Sequence, residues 1–212
     1  MIKVFEQNHF GVNVCLVYDD TKQCILIDVA SQNDKEQQAI IDFINVNELK
    51  PVRLLITHPH IDHICGAAWA HKEFGLKLGM HPDAEKMIQI SEQSSSNLLG
   101  FNCGDVSSIP IEYINENEDL IYGNSRLIAL DTSGHCAGSF SYYNKEEGFV
   151  ITGDALFHSS IGRTDLPTAD YDLLIKNIRN KLLTLPPQTV IYPGHGEHTT
   201  VGFEANNNPF LV

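Results

Sequence analysis

No stretch of the 212 residues approaches the roughly 20 consecutive apolar residues that span a bilayer, so no membrane partner is expected. Met1 is followed by Ile2-Lys3-Val4-Phe5-Glu6, with no charged segment leading into an apolar one of the secretory kind. Basic residues are scarce: 14 Lys and Arg stand against 27 Asp and Glu, for a formal net charge of −13. No Lys/Arg run interrupts that acidity, so the expectation is a small-molecule substrate and no nucleic-acid partner. The five cysteines (Cys15, Cys24, Cys65, Cys103 and Cys136) are odd in number and lack any C-x-x-C pair. Neither a disulfide framework nor a zinc ribbon is therefore indicated, and a cytoplasmic location is expected. Cys15 and Cys24 are read as candidates to face each other across a hairpin, as thiols. No solenoid-period repeat and no linker rich in Pro or Gly divides the chain, so residues 1–212 are read as one domain. A monomer or homodimer is expected.

What is present is the balance of an ordinary globular protein, 42% hydrophobic and 19% charged. Short apolar runs recur at Val12 to Tyr18, Cys24 to Val29, Val52 to Ile56, Leu127 to Leu130, Phe149 to Ile151 and Thr189 to Tyr192. Each is bounded by turn formers and reads as a strand, with Asp19-Asp20-Thr21-Lys22 as a hairpin turn. Asn33 or Asp34 is positioned to cap a helix with Ile40, Ile41 and Ile44 on one face. After Thr168 or Asp170, the residues Leu174, Ile175, Ile178, Leu182 and Leu185 recur at helical spacing until Pro186-Pro187. The polar, Ser-rich stretch 91–104 reads as an exposed surface loop, with a lid as the alternative.

The segment Thr57-His58-Pro59-His60-Ile61-Asp62-His63 packs three imidazoles and a carboxylate into six residues, directly after Leu54-Leu55-Ile56. On extended backbone His58 and His60 project to one side, whereas Asp62 and His63 begin a turn or helix. That spacing suits two adjacent metals, one taking the histidine pair and one taking Asp62 with His63. Imidazole and carboxylate without thiolate suit zinc, and also iron or manganese. Three further apolar runs end in glycine-containing turns, each with one candidate ligand: Asp131-Thr132-Ser133-Gly134-His135, Thr152-Gly153-Asp154 and Pro193-Gly194-His195-Gly196. Strand ends delivering ligands from one sheet edge are what a preorganised metal site requires. His9, His71, His81, His158 and His198 read as surface or locally hydrogen-bonded side chains, and Cys136 is expected to point away if His135 points in.

Here the chain resembles the metallo-β-lactamase superfamily, whose H-x-H-x-D-H hallmark matches His58 to His63, followed by Gly66. Ser-Gly-His at 133–135, Gly-Asp at 153–154 and Pro-Gly-His-Gly at 193–196 match in register. The resemblance implies an α/β fold, the four-layer αββα sandwich of that family. It also implies His58, His60 and His135 as ligands of one metal, Asp62, His63 and His195 of the other, and Asp154 as the bridge between them. Two divalent ions, zinc by preference, are the implied cofactors. Gly162-Arg163-Thr164-Asp165 is similar to the G-R-x-D motif of glyoxalase II-like hydrolases and of the related persulfide dioxygenases. The family's Asp-Pro-Gly and Thr-Pro-Gly-His turns read here as Asp28-Val29-Ala30 and Thr132-Ser133-Gly134-His135, changes that touch turn geometry rather than ligands. The chain stops about where the glutathione-binding extension of full-length glyoxalase II would begin, which leaves glutathione unassigned.

The implied activity is hydrolysis of a small thioester or ester by a hydroxide bridging the two metals, with Asp62 and Asp154 as catalytic carboxylates. Asp28 is a candidate to orient a ligand imidazole. Arg163 either binds an anionic substrate group or pairs with Asp165, and pairing is favoured. The alternative activity is a mononuclear iron persulfide dioxygenase using His58, His135 and Asp154; Ile161 stands where that group often has Cys, which favours hydrolysis. The best-known zinc β-lactamases place Cys where Asp154 stands, which disfavours that activity. Superfamily nucleases usually carry an inserted domain for which this chain has no room. A non-catalytic metal-binding protein would leave the ligand set without purpose.

Overall fold

A computed structural model describes residues 1–94 and 103–212 of the chain. Two six-stranded sheets lie face to face. The first contains, in spatial order, β1 (Ile2–Gln7), β2 (Val12–Tyr18), β3 (Gln23–Ile27), β4 (Lys50–Leu55), β5 (Leu78–Met80) and β6 (Ile111–Tyr113). β1 to β3 pair antiparallel, and β3 to β6 pair parallel. The second sheet contains β7 (Asp119–Tyr122), β8 (Ser125–Asp131), β9 (Phe140–Asn144), β10 (Phe149–Gly153), β13 (Val190–Pro193) and β14 (Thr199–Thr200). Between β10 and β13, the strands β11 (Leu156–Phe157) and β12 (Ser160–Ile161) form a small separate hairpin.

Side chains alternate across a strand, and both faces of each sheet are covered, which is why the strands read as unbroken apolar runs. In β2, Val12, Val14 and Leu16 pack outward with Ile40 and Ile44 of α1 (Asp34–Val46) and Ala67 and Ala70 of α3 (Ala67–Phe74). Cys15 and Val17 of the same strand pack inward with Leu127, Phe140 and Phe149 of the second sheet. The second sheet's outer face, with Tyr143, Val150 and Ile191, is covered by Leu174 of α5 (Tyr171–Asn177) and by Ile178 and Leu182 of the following π-helical turn. Three apolar layers thus separate the four layers of an α/β/β/α sandwich. A buried Leu or Ile contributes about 1.5–3 kcal/mol, so these layers carry most of the folding free energy.

Both helices read from the sequence begin at one of the caps considered. The Asn33 side chain accepts from the Glu36 amide at 3.0 Å, and that of Asp170 accepts from the Leu173 amide at 2.9 Å. In α1 it is Phe43, rather than Ile41, that packs against the core beside Ile40 and Ile44. The Cys15–Cys24 juxtaposition does not occur. Cys15 pairs with Ile27 and Cys24 with Tyr18, and the two thiols lie in different apolar layers. The stretch 91–104 opens as the last turn of α4 (Glu85–Ser94) rather than as loop, because Ala84, Met87, Ile88 and Ser91 form a buried helical face and Ser91 Oγ donates to the Pro59 carbonyl at 2.7 Å. Residues 95–102, on which the lid reading rests, lie outside the described residues. No helix among the described residues is long and apolar enough to cross a membrane.

Strand direction positions the site. β3 and β4 run parallel, and β8, β10 and β13 all run the same way because β8 and β10 each pair antiparallel with β9. Their C-terminal ends therefore open at common sheet edges.

Candidate metal centre

Five strand ends converge there. β3 ends in Asp28, and β4 leads through Thr57, His58 and His60 into α2 (Ile61–Ile64), the single helical turn that carries Asp62 and His63. β8 leads to His135, β10 to Asp154 and β13 to His195. Ring nitrogens of His58, His60 and His135 all lie within 4.8 Å of one another, as do ligand atoms of Asp62, His63 and His195. Asp154 stands between the two groups. Its Oδ1 is 3.4 Å from His63 Nε2, and its Oδ2 is 3.6, 3.7 and 4.0 Å from the Nε2 atoms of His135, His195 and His58. All seven residues read as ligands from the sequence are thus brought together.

Hydrogen bonds behind the rings decide which nitrogen faces inward. His63 Nδ1 donates to Asp28 Oδ2 at 3.0 Å, His135 Nδ1 to the Arg163 carbonyl at 2.8 Å, and His195 Nδ1 to the Phe10 carbonyl at 2.9 Å. Thr57 Oγ1 donates to Asp28 Oδ2 at 2.6 Å, which leaves it to accept from His58 Nδ1 at 3.0 Å. Four imidazoles are therefore fixed with an Nε2 lone pair pointing into the cluster. Asp28, with 1% of its surface exposed, also accepts from the Thr57 amide at 2.6 Å, so its oxygens are occupied. A third group, Asp28 with His58 and His63, also falls within 4.8 Å. Those occupied oxygens make Asp28 a support for His63 rather than part of another metal position.

Several inward atoms face atoms of their own kind. His63 Nε2 and His195 Nε2 face each other at 3.2 Å, and His135 Nε2 faces His60 Nδ1 at 2.9 Å. His58 Nε2 and Asp154 Oδ1 are buried without any hydrogen bond. Converging lone pairs repel, and buried unsatisfied acceptors cost about 1–3 kcal/mol each, unless cations or protons lie between them. The donor set therefore fits divalent cations. In the metal-free chain, protons take part of that place. Burial opposes a charge on His63, but Asp154, Asp62 and Asp28 outweigh it and hold His63 well above its ordinary pKa. His195 is likewise raised: burial is outweighed by its hydrogen bond to Asp62 and the charge of Asp154. Burial and the neighbouring imidazoles push His58 well below its ordinary value, and burial with His135 pushes His60 down to about 4. Asp62 and Asp154 are both lowered, because the charge of His63 overcomes the burial that would raise them.

The turns that hold these groups need small residues. A Cβ at Gly194 would stand 2.2 Å from Asp154 Oδ1 and 2.7 Å from His63 Cε1; one at Gly153, where φ is +50°, would stand 2.4 Å from Thr57 Oγ1. Arg163 contributes its carbonyl to His135, while its exposed guanidinium forms a bidentate pair with Asp165 at 2.7 Å. Cys136 lies buried against Ser139, its thiol pushed up to about 11 by burial, and Cys65 Sγ contacts the Ala30 carbonyl; neither belongs to the ligand groups. His81 accepts from the Asp83 amide, packs on Phe140 and is in none of the ligand groups. Sequence reasoning missed Thr57 and the Phe10 carbonyl. Thr57 had a signal in its place between a strand and His58, but a backbone carbonyl leaves none.

The chain is similar to several known proteins. A sequence model described as the Metallo-beta-lactamase superfamily matches residues 8–195. A probable metallo-hydrolase of Bacillus subtilis, YqgX, is 35% identical over 198 residues, covering 92% of this chain and 90% of the relative. Hydroxyacylglutathione hydrolase GloC of Haemophilus influenzae is 33% identical over 211 residues, covering 99% of this chain and 97% of its own. Among solved structures, the BLEG-1 B3 metallo-beta-lactamase superposes with a TM-score of 0.86 at 32% identity, and TTHA1623 in a di-iron-bound form with 0.85 at 29%, each over 100% of both chains.

Proposed function

The chain belongs to the metallo-β-lactamase superfamily, and from that premise we propose that it is a binuclear metal-dependent hydrolase of small thioesters or esters. One observation carries the reading: two groups of inward-facing donors, each within 4.8 Å, with the buried and unpartnered Asp154 Oδ1 between them. In this reading His58, His60 and His135 would hold one cation and Asp62, His63 and His195 the other, with Asp154 available to both. Zinc suits the donors, and iron does as well, as in the di-iron-bound relative. When bound, two such cations supply a Lewis acid for the substrate carbonyl and a water whose pKa falls toward about 7.

The chain's own residues do the rest. Asp28, Thr57 and the carbonyls of Phe10 and Arg163 lock four imidazoles before any substrate arrives, so no reorganisation is required at the moment of reaction. Asp62, 3.3 Å from His195 Nε2, is the more exposed of the two carboxylates and would help His63 and His195 hold the second cation. The relative named as a hydroxyacylglutathione hydrolase supports a thioester substrate. The mononuclear dioxygenase reading is not favoured, because it leaves Asp62, His63 and His195 converging without a role. β-Lactam hydrolysis is the second reading, on the 32% identity and TM-score of 0.86 to the B3 lactamase.

The test is a panel of thioesters, aryl esters, β-lactams and an organic persulfide, assayed with metal-loaded protein, after chelation and after metal is restored. Thioester or ester hydrolysis that disappears with chelator and returns with metal is expected. Turnover confined to β-lactams would move the assignment to the second reading, and persulfide-dependent oxygen consumption without hydrolysis would overturn both.

A further inference from the structure

Two asparagines flank the turn between β1 and β2, and both reach well beyond it. Asn8 stands at φ +51°, a left-handed conformation that Asn and Gly adopt more readily than other residues. Its Oδ1 accepts from the Phe10 amide at 2.8 Å, and its Nδ2 donates to the carbonyls of Asp62 at 3.0 Å and Ala30 at 3.2 Å. Asn13, in β2, donates from Nδ2 to the carbonyls of Pro193 at 2.9 Å and Gly196 at 2.8 Å, and from its amide to the carbonyl of Gly194 at 2.8 Å. An NH2 group carries two donors, and in each asparagine two carbonyls face them. These are clamps between distant parts of the chain, because Asp62 lies 54 residues from Asn8 and Pro193 lies 180 residues from Asn13.

The bonds end on two of the three members of one ligand group. His195 stands between Gly194 and Gly196, on backbone that neighbouring side chains cannot stiffen. Asn13 holds the carbonyls on both sides of it, and its ring Nδ1 donates to the Phe10 carbonyl of the same β1–β2 turn. Asp62 belongs to a helix of a single turn, and Asn8 holds its carbonyl. The β1–β2 turn is itself anchored on α1. The Asn8 and Gln32 amides donate to the two carboxylate oxygens of Glu36 at 3.1 and 2.7 Å, and Gln7 Nε2 donates to the Glu36 carbonyl at 3.0 Å. The other ligand group draws its support from elsewhere, His58 from Thr57 and His135 from the Arg163 carbonyl. Among the described residues, no hydrogen bond joins residues 7–13 to His58, His60 or His135. His63, the third member of the first-named group, is held by Asp28.

We propose that Asn8 and Asn13 are positioning residues for the cation of Asp62, His63 and His195, and that the β1–β2 turn sets the affinity for that cation without setting the affinity for its neighbour. The proposal rests on the two-cation part of the reading above and not on what is hydrolysed. Ligands already held in place do not have to be ordered by the metal, and loss of such support weakens metal binding about 10- to 100-fold.

The experiment measures stepwise zinc affinity of the chelator-treated full chain by competition with a chromogenic chelator. His195→Ala and His135→Ala identify which step belongs to which ligand group. Asn8→Gly tolerates the left-handed turn and removes the amide; Asn13→Ala removes the clamp around His195. Asn13→Ser, which keeps one donor, should give an intermediate value, and it replaces Asn13→Ala in the comparison if that variant does not fold. Asn8→Gly and Asn13→Ala should each weaken the step lost in His195→Ala by about 10- to 100-fold and leave the step lost in His135→Ala at its wild-type value. Urea midpoints are measured on the same proteins, because a merely structural role would lower stability without separating the two steps. Equal weakening of both steps, or weakening of neither, would overturn the proposal and leave the binuclear hydrolase standing. Steps that the variants do separate, in a protein that turns over no thioester or ester, would sink the hydrolase and leave the positioning role. A wild type that takes up a single zinc would overturn both.

Discussion

At the end of the sandwich remote from the histidines, Asp19 sits in the turn between β2 and β3 and accepts from the Thr21 amide and hydroxyl at 2.9 and 2.5 Å and from the Asn124 amide at 2.7 Å. It ties the β2–β3 turn to the β7–β8 turn, and its oxygens are matched by donors. At the histidine end, Asp154 is also largely buried, but its Oδ1 has no hydrogen-bond donor and its neighbours are inward-facing ring nitrogens. Both carboxylates occupy strand-end turns of the same two sheets. The difference is whether folding satisfies them: a carboxylate whose hydrogen bonds are complete holds structure, and one left facing other acceptors is kept for something that binds.

That contrast can be broken by substitution. Asp154→Asn should produce the largest effect, lowering metal content below that of the wild type and cutting hydrolysis by more than about a hundredfold; elemental analysis and steady-state kinetics on the same preparation measure both. Asp28→Asn and Thr57→Val remove the groups behind His63 and His58, and should weaken metal affinity about 10- to 100-fold in a competition with a chromogenic chelator. Unchanged affinity would mean that ring orientation is set by packing alone. Asp19→Asn should do the reverse of Asp154→Asn. It should cost about 1–3 kcal/mol of stability in urea unfolding while metal content and kcat/KM stay at wild-type values. A change in metal content there would mean that Asp19 and Asp154 do not differ in this way.

A smaller effect sharpens the comparison. In chelator-treated protein, His58 and His60 are held below their ordinary pKa of 6.5, His60 at about 4, while His63 and His195 are held above it. Below pH 6.5 the unfolded chain gains protons that folded His58 and His60 refuse, so stability falls as pH drops toward 4. Above pH 6.5 the folded state retains protons on His63 and His195 that the unfolded chain has released, so their contribution is lost as pH rises through the folded values. Urea midpoints at pH 5, 6.5 and 8 should therefore peak at 6.5 without metal. With metal bound the decline at pH 8 should disappear, since bound ligands are deprotonated.

How much of this was legible in the sequence follows from where the information is carried. His58, His60, Asp62, His63, His135, Asp154 and His195 announced themselves because their chemistry is in the side chain and each stands at the end of an apolar run. The supports were legible only where they too are side chains, as Asp28 was. Phe10 and Arg163 act on His195 and His135 through carbonyls, and any residue has a carbonyl. Register was beyond reach in the β2–β3 hairpin: five residues separate the paired Tyr18 and Cys24, which sets Cys15 against Ile27. Helix α4 was lost because its buried face continues through the polar Ser91, whose hydroxyl is satisfied by the Pro59 carbonyl. His158 reads as an ordinary hydrogen-bonded surface histidine. Its place beside His195 comes from a hairpin anchored by a glutamate 46 residues further on, a tertiary contact that local pattern does not carry.

The most direct test of the central claim is metal content per chain, by elemental analysis of protein purified without added metal or chelator. Close to two divalent ions per chain are expected, falling to about one in both His135→Ala and His195→Ala. Close to one ion per chain in the wild type, lost in His135→Ala and unaffected by His195→Ala, would contradict a binuclear centre.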